Sequence, residues 1–430
     1  MQTAGKFVRL TLILGTIAFL SSCRKNPVSS VPQKAQLKLS VGEVTTNEAW
    51  LTIGYSNGGT FTMTRDGTAI ISGHFGGSDT TVIDDSLIPE RTYTYRATIF
   101  LGAGGSYSSD PLEVRTMDTT SHDFSWQTFT LGDGNSSMLN DVVIVSDTLI
   151  YAVGAIYLKD STGQFENDPY NLAIWNGKKW FITRTYFYTI CGQTALYPYP
   201  ARTAIELNPN DIWIAEDGNA VVRWHGNSQS APVCLPSSFT VYKLWGIDTN
   251  SVYAVGDMGN IEHYNGAEWQ SLSSGTNYLI SNIWGVAGKI LCVTTESRLL
   301  CISGNSVTET LSWSGIPIRG IWFENKTPIY VSGQGVWSND GRGWNQMSGL
   351  PNVFYAGIRG TATNDMFVVA SYGTVIHYNG STWHAFNELA NPVWNFQSVA
   401  LNNDLVVAVG SEAVSIGGLG VVAIGTRTIH

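Results

Sequence analysis

The residues best suited to chemistry in this 430-residue chain are aromatic rings beside carboxylates, gathered in two segments. Segment 155–171 (AIYLKDSTGQFENDPYN) carries Tyr157, Asp160 and Asp168. Segment 184–201 (RTYFYTICGQTALYPYPA) carries Tyr186, Phe187, Tyr188, Tyr197 and Tyr199. Flat rings stack on the CH faces of sugars or on apolar side chains, while carboxylates take hydrogen bonds from hydroxyls and amides. The pattern therefore fits a glycan or a protein ligand. Trp313, Tyr355 and Trp394, in comparable connections further along, extend the candidate set.

Nothing in the chain assembles a specific catalytic set. Gly-x-Ser-x-Gly, phosphate-loop and dinucleotide fingerprints are missing, so no catalytic residue and no cofactor is expected. No Cys/His spacing reads as zinc, and Asp133-Gly134-Asn135 lacks the remainder of a calcium loop, so no metal is expected. Arg202, Arg319 and Arg359 recur at similar places in a repeat and keep a hydrolase open as an alternative. A formal charge of −9 with no basic cluster excludes a nucleic-acid partner.

What positions these residues is a repeat. A short apolar element reads YAVG at 151–154, WIAE at 213–216, YAVG at 253–256, LCVT at 291–294, YVSG at 330–333, FVVA at 367–370 and VAVG at 407–410. From 213 onward the steps run 40, 38, 39, 37 and 40 residues. A period near forty built of strands predicts a β-propeller, since one small sheet cannot bury both faces alone. The first step, 151 to 213, is 62 residues, and its excess is the two aromatic segments. Chain topology places both on the face that carries the connections between sheets, where function on such frames usually lies. WQTFTL at 126–131 matches an outer strand and is expected to close the ring against the C-terminal sheet. Trp245, Trp284, Trp322 and Arg359 share one first-strand position and are expected to wedge between sheets, with lining of the central channel as the alternative.

The third strand and its turn read NLAIWNGKKW, NIEHYNGAEW, VWSNDGRGW and TVIHYNGSTW. These resemble degenerate Asp-box repeats. That resemblance implies a folding staple for Asn176, Asn265, Asp340 and Asn379 and their tryptophans, remote from any working face.

Residues 1–22 read as a signal: Lys6 and Arg9, an apolar stretch, then Leu20-Ser21-Ser22-Cys23. This resembles the lipobox of bacterial lipoproteins, which implies a diacylglycerol on Cys23 and a membrane as partner. Arg24 after the cysteine leans the location toward an outer membrane or the cell surface. Residues 23–34 are a Pro/Ser-containing tether. From 35 to 117, seven short alternating runs separated by turns predict a β-sandwich. Leu87-Ile88-Pro89-Glu90-Arg91-Thr92-Tyr93 resembles the tyrosine corner of the fibronectin type III family. The resemblance implies a backbone hydrogen bond for Tyr93 and a core place for Trp50. Residues 118–125 are a linker.

Export leaves Cys191, Cys234, Cys292 and Cys301 free to pair. Cys191 and Cys234 fall in adjacent connections. Cys292 and Cys301 share one hairpin, where a disulfide and two buried thiols both remain open. The expectation is thus an all-β chain: a fibronectin type III-like β-sandwich followed by a seven-bladed β-propeller over 126–430. Its function is expected to be binding of a glycan or protein, with a glycoside hydrolase or a structural envelope subunit as the alternatives.

Overall fold

The computed structural model describes residues 37–428 except 57, 102–104, 295–297, 313–316, 326 and 415–416, and gives the backbone alone for 75 and 309–312. Cys23, the signal segment, the tether and Trp313 lie outside the described residues. The chain forms two compact units divided after Thr120.

The first unit is two antiparallel sheets. Lys38–Val44, Ala49–Gly54 and Thr80–Asp84 form one; Thr68–Phe75, Gly59–Arg65, Thr92–Phe100, Ser106–Ser108 and Leu112–Arg115 form the other. Alternation along the strands sends Leu51, Ile53, Phe61, Met63, Tyr95, Ala97 and Ile99 into one shared core. Leu51, Ile53, Phe61, Met63 and Ile99 each contribute about 1.5–3 kcal/mol on burial. Trp50 is buried but does not join that core. Its neighbours Ala49 and Leu51 face inward, so strand alternation turns Trp50 to the other face, contrary to the expected core place.

The second unit is a β-propeller. Among the described residues it holds seven four-stranded antiparallel sheets. Their first strands are Met138–Ser146, Ala201–Asn208, Val241–Asp248, Ile280–Val286, Ile318–Trp322, Tyr355–Ala362 and Trp394–Asn402. Each packs beside the next, and the seventh packs on the first, which closes the ring. The YAVG-like elements are the second strands. Asp211–Glu216 and Asp365–Ala370 are buried at every residue, because a sheet inside the ring has a neighbour on both faces. That double burial produces the near-continuous apolar runs seen in the sequence.

Phe124–Leu131 completes the last sheet by pairing with Gly420–Arg427, so neither chain end of the unit leaves an open edge there. The boundary falls earlier than residue 126. Ser121–Asp123 is already tied down: Thr428 N–H donates to the Asp123 carbonyl at 2.8 Å, and His122 Nδ1 lies 2.8 Å from His377 Nδ1. Asn176, Asn265 and Asn379 each accept two turn N–H groups on Oδ1, which nails the hairpins at the ring's opposite end.

Every first strand carries a β-bulge at the same place. Pairing with the second strand skips one residue between Leu139 and Asp141, Ala201 and Thr203, Val241 and Lys243, Ile280 and Asn282, Ile318 and Gly320, Tyr355 and Gly357, and Phe396 and Ser398. A bulge leaves one residue unpaired and re-aims its side chain.

Cys292 pairs in register with Leu300, and Cys301 with Leu291. The two cysteines are thus one position out of step, so alternation sends their thiols to opposite faces and no bridge forms between them. Cys191 and Cys234 are joined by a disulfide.

Candidate binding site at the channel mouth

The seven skipped residues are Asn140, Arg202, Tyr242, Ser281, Arg319, Ala356 and Gln397, and all seven line one cup of about 200 Å³ at a mouth of the axial channel. They sit at the starts of first strands, on the end that carries the connections between sheets. One structural device, repeated around the ring, therefore aims one side chain per sheet at a common point.

Cations dominate the cup. The Arg202 guanidinium packs 4.4 Å from the Tyr242 ring centroid and pairs with Asp217 at 3.2 Å. Arg319 is half-buried, and its guanidinium has no hydrogen bond or ion pair among the described residues. Burial lowers its pKa, and the nearby positive charge of Arg202 lowers it further. A cation held this way can bind a negatively charged or hydrogen-bond-accepting group.

A polar septum floors the cup. Asp141 accepts from Lys243 Nζ at 2.6 Å, Thr203 Oγ1 at 2.7 Å and Ser398 Oγ at 2.8 Å. Burial opposes ionisation of Asp141, but the Lys243 ammonium and these bonds outweigh it and hold the carboxyl below its usual range. Arg359 donates to the Ile358 and Ile321 carbonyls at 2.8 and 3.2 Å and lies 4.7 Å from the Trp284 ring. Burial pushes its pKa down to about 10. Beyond the septum, a second hollow of about 260 Å³ has apolar walls that include Val143, Ile205, Trp245 and Trp284.

The face around the cup carries exposed apolar side chains in connections between strands. Met258 and Tyr372 are 59% and 62% exposed and adopt φ of 51° and 65°, unusual for residues with side chains. Gly259 and Gly373 follow them, and a Cβ there would sit 2.0 and 2.1 Å from the carbonyls of Thr276 and Leu389. The turns are thus tightly backed from below and push Met258 and Tyr372 outward. Tyr278 and Phe354, in links leading into first strands, are also exposed. Large apolar groups held outward at a cost of backbone strain mark a site of contact.

The two aromatic insertions are knit together. Arg184 pairs with Glu166 at 2.6 Å and donates to the Asp168 carbonyl at 2.8 Å, while Asn171 donates to the Tyr199 carbonyl at 2.7 Å. None of their residues lines the cup. Phe187 is fully buried in the seam between the first two sheets and is core, which corrects its place among the ligand candidates. Tyr355 is likewise fully buried, its hydroxyl donating to the Pro351 carbonyl at 2.8 Å, and leaves the candidate set for the same reason. Trp394 is half-buried with its ring 6.2 Å from Phe396. The Tyr197 ring packs at a tilt against Tyr199, centroids 4.8 Å apart, and its pKa is raised by partial burial and then by a hydrogen bond with Asp168. Asp160 is exposed and spends its carboxylate on the turn, accepting from Thr162 N–H at 2.8 Å and Thr162 Oγ1 at 2.6 Å. Tyr157 donates its backbone N–H to Ser137 Oγ at 2.9 Å. Tyr186 and Tyr188 line a groove of about 660 Å³ with Leu196, Trp224 and Pro232, on the flank of the ring.

The sequence singles out Arg202 and Arg319 by their recurrence but does not show the bulge ring that joins them to the other five residues. The signal was present: each skipped residue follows an apolar one (Leu139, Ala201, Val241, Ile280, Ile318, Tyr355, Phe396) and varies freely from repeat to repeat. Among the described residues, no group of three or more His, Cys, Asp or Glu could hold a metal ion.

The fold defines a β-propeller with an axial cup. No protein-family signature matches the chain, and no curated protein sequence matches it. Among solved structures it is similar to YCF48 bound to D1 peptide, a β-propeller, with a TM-score of 0.54 and 14% identity over 71% of this chain and 95% of that one. The computationally designed Ika8 protein is also similar, with a TM-score of 0.46 and 11% identity over 67% of this chain and 98% of that one.

Proposed function

We propose that this chain is an exported, lipid-anchored binding protein whose propeller captures a protein partner at the cup-bearing face. The observation that carries the reading is the bulge ring: seven sheets each deliver one side chain to a single cationic cup, and exposed Met258, Tyr278, Phe354 and Tyr372 share its face. Apolar side chains around a polar centre suit a polypeptide, which offers both kinds of contact. The neighbour YCF48, which shares the fold, is bound to a peptide. A glycan remains the second ligand class, supported by the tyrosine-lined groove on the flank.

In this reading the seven sheets are seven blades, and the first unit is a fibronectin type III-like spacer. The Ile88 N–H donates to the Tyr93 hydroxyl at 2.9 Å, which supports the tyrosine corner. Lipidation of Cys23 would hold the spacer on a membrane, outer rather than inner. Fractionation of cells carrying Cys23→Ala tests the anchor, and unchanged membrane association rejects it.

Binding without turnover is favoured over glycoside hydrolysis. Among the described residues the carboxylate lining the cup is Asp141, and it is fully engaged by Lys243, Thr203 and Ser398; the usual glycosidase route needs two carboxyl groups flanking the bond, and a route through a tyrosine nucleophile such as Tyr242 still needs a free carboxyl group beside it. The partner reading is tested by probing peptide and glycan arrays with the full chain and with Tyr372→Ala and Met258→Ala. Peptides bound by the parent and weakened in both variants support it; glycans bound at full strength by both variants would move the site to the flank.

A further inference from the structure

The bulge ring is not uniform, and its asymmetry names a chemistry. The second, third and fifth sheets contribute Arg202, Tyr242 and Arg319; the sixth and seventh contribute Ala356 and Gln397, which carry no charge. The bulge residues of one arc are therefore rich in donors and positive, and those of the other carry no charge, the sixth sheet's Arg359 lying in the floor. The charges do not balance. Lys243 is matched by Asp141, and Arg202 by Asp217, but Arg319 has no counter-charge among the described residues. The Tyr242 ring packs against Arg202 and its side chain interacts electrostatically with Arg319, while its hydroxyl has no hydrogen-bond partner among the described residues. Arg359 also lacks an ion pair, but its guanidinium is spent on the Ile321 and Ile358 carbonyls, so Arg319 is the one left to take an incoming carboxylate.

Depth and size limit how that carboxylate arrives. A hollow of about 200 Å³ is little larger than the cavity of about 150 Å³ that holds one benzene, so it has room for about one terminal residue. The septum of Asp141, Lys243 and Arg359 floors it, so a polypeptide cannot thread through to the hollow beyond. The main chain cannot pass, so only a chain end or a single side chain can enter. Residues preceding that end would then lie over the face that carries Tyr372, Met258 and Phe354.

We propose that the bulge ring captures the free C-terminal carboxylate of an extended peptide, seated on Arg319 with the Tyr242 hydroxyl and Arg202 as neighbouring donors. Capture of a chain-end carboxylate by converging donors is an established mode of peptide recognition. The inference rests on the reading of this face as a partner-binding surface. It adds which group of the partner enters, and it makes Arg319 the specificity-determining residue.

The test is a synthetic peptide array tethered through the N-terminus, with every sequence made as free acid and as C-terminal amide, probed with the full chain. The expected result is a set of peptides bound at least about tenfold tighter as acids than as amides. Arg319→Gln should weaken the acids by about 10- to 100-fold, the range of one charge-assisted hydrogen bond or a pair, and leave the amides unchanged. Arg319→Lys should restore part of the loss, while circular dichroism shows both variants folded. Acids and amides bound alike, with Tyr372→Ala weakening both, would overturn the inference and leave the partner reading standing. Amides bound through internal Asp or Glu, and lost in Arg319→Gln, would overturn the chain-end claim. No peptide bound in either form would remove both readings.

Discussion

Lys243 of the third sheet and Asp141 of the first meet in the middle of the channel, Nζ to Oδ2 2.6 Å, and divide it into two separate hollows. Both groups are buried, so each depends on the other for its charge. Lys243→Met should cost about 3–5 kcal/mol in urea unfolding, because it strands a buried carboxylate. Asp141→Asn combined with Lys243→Met should recover much of that loss, which a purely steric effect of the methionine would not allow.

Arg319 should behave oppositely. It is a cation held in a partly buried site beside Arg202 with no counter-ion among the described residues, so the fold gains nothing from its charge. Arg319→Gln is expected to leave the melting temperature unchanged or raise it, by no more than about 1 kcal/mol of stability. A loss of more than about 1 kcal/mol would mean that the guanidinium is a structural strut.

The strap Ser121–Asp123 should make the propeller acid-sensitive. Burial, then His377, His384 and Arg427, lower the His122 pKa to about 4, and burial lowers that of His377 against the pull of Asp365. Unfolded histidines titrate near 6.5. The unfolded chain therefore takes up protons first, and stability present above about pH 6.5 is lost as pH falls toward 4. Glu216, pushed up to about 7 by burial, acts in the opposite sense as pH rises, so the comparison must be with a variant. His122→Gln should flatten the urea midpoint between pH 6.5 and 4.5; an unaltered slope would place the sensitivity elsewhere.

The disulfide Cys191–Cys234 ties the second insertion to the outer strand of the second sheet across 43 residues of sequence. Changing both cysteines to serine should cost about 2–4 kcal/mol through the freed unfolded chain. Peptide binding at the cup should survive, since neither cysteine lines it.

The all-β propeller was legible because each second strand is buried on both faces, and double burial writes itself as a recurring apolar tetrapeptide. The closing strand Phe124–Leu131 was legible through its likeness to other outer strands. The Asn-Gly turns were legible because their side chains make their own local hydrogen bonds. The cup was not. Its residues occupy bulges, where the two-residue alternation that reveals a strand is interrupted, so nothing in the pattern marks Tyr242 or Ala356 as neighbours of Arg202 and Arg319. The aromatic insertions drew notice as a break in spacing, yet Phe187 is spent on filling a seam and Asp160 on holding a turn. Trp50 fell on the outward side of its strand because a family resemblance fixes a position along the chain less firmly than alternation fixes its face.

The central claim is that a partner binds over the bulge ring, and amide hydrogen exchange of the full chain with and without a bound array peptide tests it most directly. Slowed exchange is predicted at the starts of the first strands, around residues 202, 242, 319 and 356, and at the turns bearing Met258 and Tyr372. Protection confined to the hairpin of Phe187–Tyr188 and Leu196–Tyr197, or to the Asn-Gly turns at the opposite end, would contradict the account.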